Sequence, residues 1–145
     1  MIYIFDSREK KNGHIKRYFE GHGIPYRVQK LDVGDYMMEG GRITVDRKAS
    51  IEEISGNLLN PADKRRFWAE VRRAYEKRLR LVVLVETNKI KKLEDLRQWH
   101  SAYTPVSGSA LIREMQRLQN AYGVRFVFCP KVSAARTILQ ILEET

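Results

Sequence analysis

Two acidic residues, Asp35 and Asp46, flank a glycine pair, and Lys48 follows the second of them by two. If Gly40 and Gly41 are the central residues of a tight hairpin turn, the arms 33–38 and 42–47 pair so that partner numbers sum to 81. Asp35 then lies opposite Asp46, while Tyr36 faces Val45 and Met38 faces Ile43 on the other side of the ribbon. Carboxylates in that register have Cβ atoms about 4.5–5.5 Å apart, which is destabilising unless something positive lies between them. Lys48 returns to the face of Asp46 because strand side chains alternate. A hard divalent cation suits such a pocket, held by one or two carboxylates and completed by water and a phosphate, with the lysine beside it orienting or deprotonating an attacking water. The chemistry is that of phosphodiester cleavage, with Mg²⁺ or Mn²⁺ as cofactor. Glu52, at the start of the next helix, offers a further carboxylate, whereas Glu53, three residues after Ser50, is explained by a capping box. The alternative for the same residues is a solvated strand face with weak ion pairs, in which Asp35 is a turn residue after Gly34.

The elements that must position these groups follow from the apolar pattern. Residues 2–5 read as a strand, and Ile15, Tyr18 and Phe19 mark a helix stopped by Gly21 and Gly23. Residues 26–31 form a second strand before the hairpin. A helix starts at Ile51 and ends by Gly56 or Asn57. After Asn60 and Pro61, residues 62–79 place Phe67, Val71, Tyr75 and Leu79 on one stripe. Residues 81–85 are a continuous apolar run, as in a strand covered on both faces. Residues 93–99 are weakly helical and 101–109 a loop. Leu111, Met115 and Leu118 mark another helix, residues 124–128 another strand, and Ser133 caps a last helix carrying Ile138, Ile141 and Leu142. Helices alternating with buried strands give an α/β fold: a single domain, residues 1–145, with a central mixed sheet flanked by helices.

Composition bounds the partners. The 145 residues carry 27 Lys and Arg against 18 Asp and Glu, a formal charge of +9, so an acidic partner such as nucleic acid is expected. Cys129 is the single cysteine, which excludes an intramolecular disulfide or cysteine-rich zinc site and points to an intracellular setting, nucleus or nucleoid-associated cytoplasm. The first apolar run is too short and too charged at its end for a signal peptide. Lys64, Arg65, Arg66, Arg72 and Arg73 crowd the 62–79 helix. They are candidates to track a phosphate backbone, and equally the polar face of a helix whose stripe covers the sheet. Glu70 and Glu76 interrupt that face, so a membrane surface is not the expected partner. His14, His22 and His100 lack ligand spacing and read as surface or helix-end residues, and Trp68 and Trp99 as core or interface.

At these residues the chain resembles the nuclease domain of the XPF family of structure-specific DNA endonucleases, whose hallmark is Gly-Asp, a variable gap, then Glu-Arg-Lys, three residues and Asp. The match is Gly34-Asp35, Asp46-Arg47-Lys48 and Glu52. Asp6-Ser7-Arg8-Glu9 looks like the family's Asp-x-Arg-Glu, residues 31–36 like its Leu-x-Val-Gly-Asp-Tyr, and residues 54–58 like its Ile-Gly-Ser-Leu. Arg66-Phe67 with Glu70, and Val85-Glu86, also fit. Asp46 stands where the family has Glu, and Glu52 where it has Asp, exchanges that keep the charge and move it by one methylene.

The resemblance implies a restriction-endonuclease-like fold and a Mg²⁺-dependent (or Mn²⁺-dependent) endonuclease acting at flap, fork or branched DNA. Asp35 and Asp46 would hold the metal with Asp6 or Glu9 and Glu52, Lys48 would position the water, and Arg8 and Arg47 would face phosphate or support the site. It also implies a homodimer through the C-terminal helices, and no nucleotide cofactor or membrane partner is expected. The family's tandem helix-hairpin-helix module has no counterpart within these residues. Two other readings stay open: a non-catalytic DNA-binding scaffold subunit of a nuclease heterodimer, against which the retained acids argue, and a nuclease of another specificity, such as junction resolution.

Overall fold

The computed structural model describes residues 1–144. Its six strands are β1 (Tyr3–Asp6), β2 (Tyr26–Gln29), β3 (Tyr36–Met38), β4 (Ile43–Lys48), β5 (Arg80–Glu86) and β6 (Arg125–Cys129), joined in one sheet of order β2-β1-β3-β4-β5-β6. The sheet is mixed: β3 runs antiparallel to β1 and β4, and the other neighbours are parallel. The helices are α1 (Gly13–Gly21), α2 (Ile51–Leu59), α3 (Pro61–Glu76), α4 (Gly108–Tyr122) and α5 (Ala134–Leu142). Among the described residues no helix is long and apolar enough to cross a membrane.

Alternation along β5 divides the core. Leu81, Val83 and Val85 join the residues of α2, α3 and α4 on one face, while Val82 and Leu84 join α1 and α5 on the other. Both faces are covered, which is why this strand is an unbroken apolar run. Along β4 the same alternation sends Val45 to the α1/α5 side and sends Asp46 and Lys48 toward α3.

Four expectations are corrected. In α3 the core row is Phe67, Val71 and Ala74, and Tyr75 is 59% exposed. A strict four-residue spacing drifts around a 3.6-residue helix, so by Tyr75 the row has left the core and Ala74 replaces it. Helix α2 continues past Gly56 to Leu59 because Leu58 is fully buried, and the break falls at Asn60, whose side chain accepts from the N–H groups of Ala62 and Asp63 at the start of α3. Ser107 caps α4 by accepting from Ala110 N–H, so that helix begins inside the expected loop. Ser133 makes no side-chain cap, and its carbonyl instead accepts from Thr137 Oγ1.

The hairpin has the expected register, Tyr36 opposite Val45 and Met37 opposite Thr44. Its turn differs. Gly41 N–H donates to Met38 O, which puts Glu39 and Gly40 at the centre, Gly40 at φ +74°. The strands end at Met38 and Ile43, so the turn sits off-centre within a four-residue loop, 39–42, that keeps the pairing sum of 81.

Gly34 at φ +76° sets the approach of Asp35. Asp35 N–H donates to Val45 O at 2.7 Å, although Val45 is already the partner of Tyr36. Two residues of one arm thus share one of the other, as in a β-bulge, and the extra residue re-aims the Asp35 side chain. A Cβ on Gly34 would lie 2.0 Å from Thr44 Oγ1 and 3.2 Å from Val45 O. Thr44 cannot yield easily, since its buried hydroxyl donates to Val33 O at 2.8 Å. Gly34→Ala is therefore expected to cost about 2–4 kcal/mol in urea unfolding, combining a left-handed backbone penalty with overpacking. A loss under about 0.5 kcal/mol, the range of a neutral surface change, would show that the bulge is not constrained.

Candidate active site

The face of β4 that looks toward α3 carries Asp46 and Lys48, with Lys48 Nζ 3.4 Å from Asp46 Oδ2 and 5.3 Å from the centre of the Phe67 ring. Asp35 comes from the bulge. One of its oxygens accepts the Arg47 N–H at 2.8 Å, and its carboxyl lies within hydrogen-bonding reach of Asp46. A third acid, Glu70 of α3, also meets Asp46. Burial, then the charges of Asp46 and Glu9, push the Asp35 carboxyl well above the usual carboxylate range, against the pull of the Arg47 N–H. Burial and Asp46 raise Glu70 to about 7, although Lys48 and Arg73 oppose this. Burial works against the charge on Lys48, but Asp46, Glu53, Asp35 and Glu70 outweigh it and its pKa is raised. Lys48 is thus an ammonium at neutral pH, suited to orienting a water or steadying negative charge rather than taking a proton.

This pocket suits a hard cation. Its acids crowd one another, and Glu70 Oε1 is buried without a hydrogen-bond partner. Among the described residues no three Asp, Glu, His or Cys groups converge tightly enough to hold an ion unaided. The donor set is instead an acid pair with one flanking carboxylate, which matches Mg²⁺, an ion that keeps several waters and binds through one or two carboxylates plus phosphate.

The remaining candidates are placed elsewhere. Arg47 alternates to the α1/α5 side, where its side chain is 4% exposed. Its Nε donates to Glu9 at 2.7 Å, one terminal nitrogen to Glu86 at 2.8 Å and the other to Lys10 O at 2.8 Å. Tyr36 OH donates to the same Glu9 oxygen, and His14 meets Glu86 at 2.6 Å. His14 is thus part of a buried network rather than a simple helix-end residue. Glu9 and Arg47 support the site from behind the sheet, Glu9 through its charge on Asp35. Asp6 accepts from Leu31 N–H at 2.7 Å and pairs with Arg8. Glu52 accepts from Ser101 Oγ and Ala102 N–H, both at 2.8 Å, and so ties α2 to the 101–106 loop. Neither Asp6 nor Glu52 is brought to Asp35 and Asp46 by these contacts.

Helical spacing sorts the cations of α3. Arg66, Glu70, Arg73 and Lys77 share one side; Arg73 acts on Glu70 at the acidic pocket, the Arg66 side chain turns to Asp63, and Arg8 also feels the charges of Glu70 and Asp35. Arg65 and Arg72 are exposed on another side, and Lys64 is drawn to Glu114 of α4 at 3.1 Å. Glu70 was the acid that periodicity did not single out. Its signals were its place three residues beyond Phe67, at the edge of the apolar stripe, and its fit to the XPF-like pattern.

The comparisons agree with this fold. XPF from Aeropyrum pernix has the same fold, with a TM-score of 0.72 at 21% identity over 98% of this chain and 63% of that one. A second structure, XPF from Aeropyrum pernix in complex with DNA, gives a TM-score of 0.72 at 21% identity over 97% and 62%. The chain therefore spans less than two thirds of the structures it resembles. A search of curated proteins finds no match. The ERCC4 domain model matches residues 5–141, nearly the whole chain. The chain belongs to the ERCC4 domain family.

Proposed function

We propose that the chain is a divalent-metal-dependent DNA endonuclease that hydrolyses phosphodiester bonds near flaps, forks or other branches. The observation that carries this reading is the meeting of Asp35 and Asp46, with Glu70 beside them, against the charged Lys48. Asp35 and Asp46 would hold Mg²⁺ or Mn²⁺, and such an ion would supply Lewis-acid stabilisation of the phosphoryl oxygens. Lys48 holds and orients the attacking water through its N–H donors. Arg73 and Arg66 on one side and Arg8 on the other bind the phosphates that flank the scissile bond, and Arg65 and Arg72 extend the positive surface along the duplex. Arg47 holds Asp35 through its backbone N–H and Glu9 through its side chain, so it positions without touching DNA. The family and the DNA complex of the Aeropyrum pernix structure support this reading.

Pairing of two copies through the C-terminal helices belongs to the same proposal and rests on the resemblance. Ile138, Ile141 and Leu142 face this chain's own core, so a pairing surface on α5 would use its other side. Sedimentation equilibrium over a range of concentrations decides it, and a strict monomer removes it.

The test of activity uses labelled flap, fork, four-way-junction and linear duplex DNA with Mg²⁺, Mn²⁺ or EDTA. Wild type is expected to cut the branched substrates only with metal, and Lys48→Ala to cut them about 10²–10³-fold more slowly, the scale for losing one charge-stabilising donor. Cleavage that persists in EDTA overturns the metal reading. Tight binding with no cleavage of any substrate favours a scaffold subunit.

A further inference from the structure

We propose that a cleft between the 7–12 loop and the end of β4 binds a second phosphate of the DNA, through the ammonium groups of Lys10 and Lys11. The inference rests on the nuclease reading above and adds a subsite to it. The cleft has a volume of 390 Å³ and is lined by Arg8, Lys10, Lys11 and Arg47, with Glu9, Ala49 and Glu53. Four of the seven lining residues are cations, and both acids are already engaged. Glu9 accepts from Tyr36 and Arg47, and Glu53 accepts from Ala49 N–H at 2.7 Å.

The cations divide by role. The Arg47 guanidinium is consumed by Glu9, Glu86 and the Lys10 carbonyl, whereas Arg8 gives its Nε and one terminal nitrogen to Asp6 and Leu31 O and keeps the other for the phosphates of the reacting site. Lys10 and Lys11 are exposed, and among the described residues neither has an ion-pair partner. Their backbone is fixed. The Arg47 Nη2 bond to Lys10 O is 2.8 Å, and Lys11 is held at φ +54°, a conformation that a side-chain-bearing residue adopts at a cost. A buried arginine thus ties down the loop while its two lysines stay outside.

The cleft adjoins the acidic pocket. Ala49 directly follows Lys48, and Asp35 accepts from the backbone of Arg47, which lines the cleft. A phosphate seated there belongs to the DNA at the reacting site and not to a distant arm. Phosphate recognition by two free ammonium groups is strongly screened by salt.

The test reads binding of labelled flap DNA in EDTA by fluorescence anisotropy, so it does not depend on cleavage. The Lys10→Gln/Lys11→Gln double variant is expected to bind about tenfold more weakly and to lose about 0.9 from the slope of log K against log salt, the value for one neutralised phosphate. Lys11→Gly separates recognition from folding: glycine relieves the positive φ, so its Tm should equal or exceed that of wild type while affinity falls. A neutral methylphosphonate placed at single positions locates the occupant. If one internal position weakens wild type but not the double variant, the ligand is a backbone phosphodiester. If only removal of a 5′-phosphate at a nick does so, it is a terminal phosphate. An unchanged salt slope in the double variant, or methylphosphonate effects that all add fully to the lysine substitutions, overturns the subsite while leaving the nuclease assignment standing.

Discussion

Arg47→Ala is expected to destabilise the fold by about 3–5 kcal/mol in urea unfolding, the scale for removing one partner from a buried ion pair. The side chains of Arg47 and Glu86 are each 4% exposed and that of Glu9 is 9% exposed. Deleting the guanidinium leaves two carboxylates in the protein interior and the Lys10 carbonyl without its donor. Burial alone would lower the pKa of Arg47, yet the hydrogen bond and charge of Glu9, with the charge of Glu86, outweigh it and raise it. Arg47→Lys should recover only part of the loss, since a single ammonium cannot address three partners spread around a planar fork. A loss below 1 kcal/mol for Arg47→Ala would mean that water replaces the guanidinium, and that the network does not hold the loop to the sheet.

This network marks where sequence reading reached and where it stopped. Period-two alternation was enough to send Arg47 away from Lys48, and register arithmetic was enough to bring Asp35 to Asp46, because both depend on residues close in sequence on one hairpin. Where each displaced group ends was not legible. Glu86 reaches His14 and Arg47 only through strand pairing and the packing of α1. Asp6 and Glu52 were reasonable ligands by type, but a buried or half-buried acid takes whichever N–H or O–H the fold sets beside it, here Leu31 and the 101–102 backbone and hydroxyl. Glu70 shows the converse. Its helix is amphipathic by any reading, but which flank of the stripe meets β4 is a matter of packing, and that flank supplies the third acid. The XPF-like motif pointed to Glu70 without giving it a role.

Asp35→Asn is expected to reduce metal-dependent cleavage by about 10²–10³-fold, the scale for losing one preorganised electrostatic partner, while making the metal-free protein more stable. The two effects have one cause. Without a cation the acids repel, and Asp35 carries the penalty of burial as well. The sign follows from linkage. A carboxyl whose folded pKa is raised holds its proton more tightly when folded, so its contribution to stability is fully present below the unfolded pKa and is lost as pH rises through the folded pKa. Glu70, raised from 4.5 to about 7, sets the window. Between those values the metal-free protein should lose on the order of 2–3 kcal/mol, with Asp35 adding to the loss. An amide at position 35 cannot ionise and removes one charge from beside Asp46, so the variant's profile should be flatter and its Tm in EDTA at pH 8 higher than that of wild type. Saturating Mg²⁺ should restore wild type at pH 8 by binding only the folded state, and should do much less for Asp35→Asn. Thermal unfolding of both proteins at pH 5, 6, 7 and 8, with EDTA and with Mg²⁺, tests all of this at once. If metal-free wild type gains stability over that range, or if Mg²⁺ raises the Tm of both proteins equally, then Asp35 and its neighbours do not form the metal site, because a cation that relieves their repulsion must favour the protein that has it.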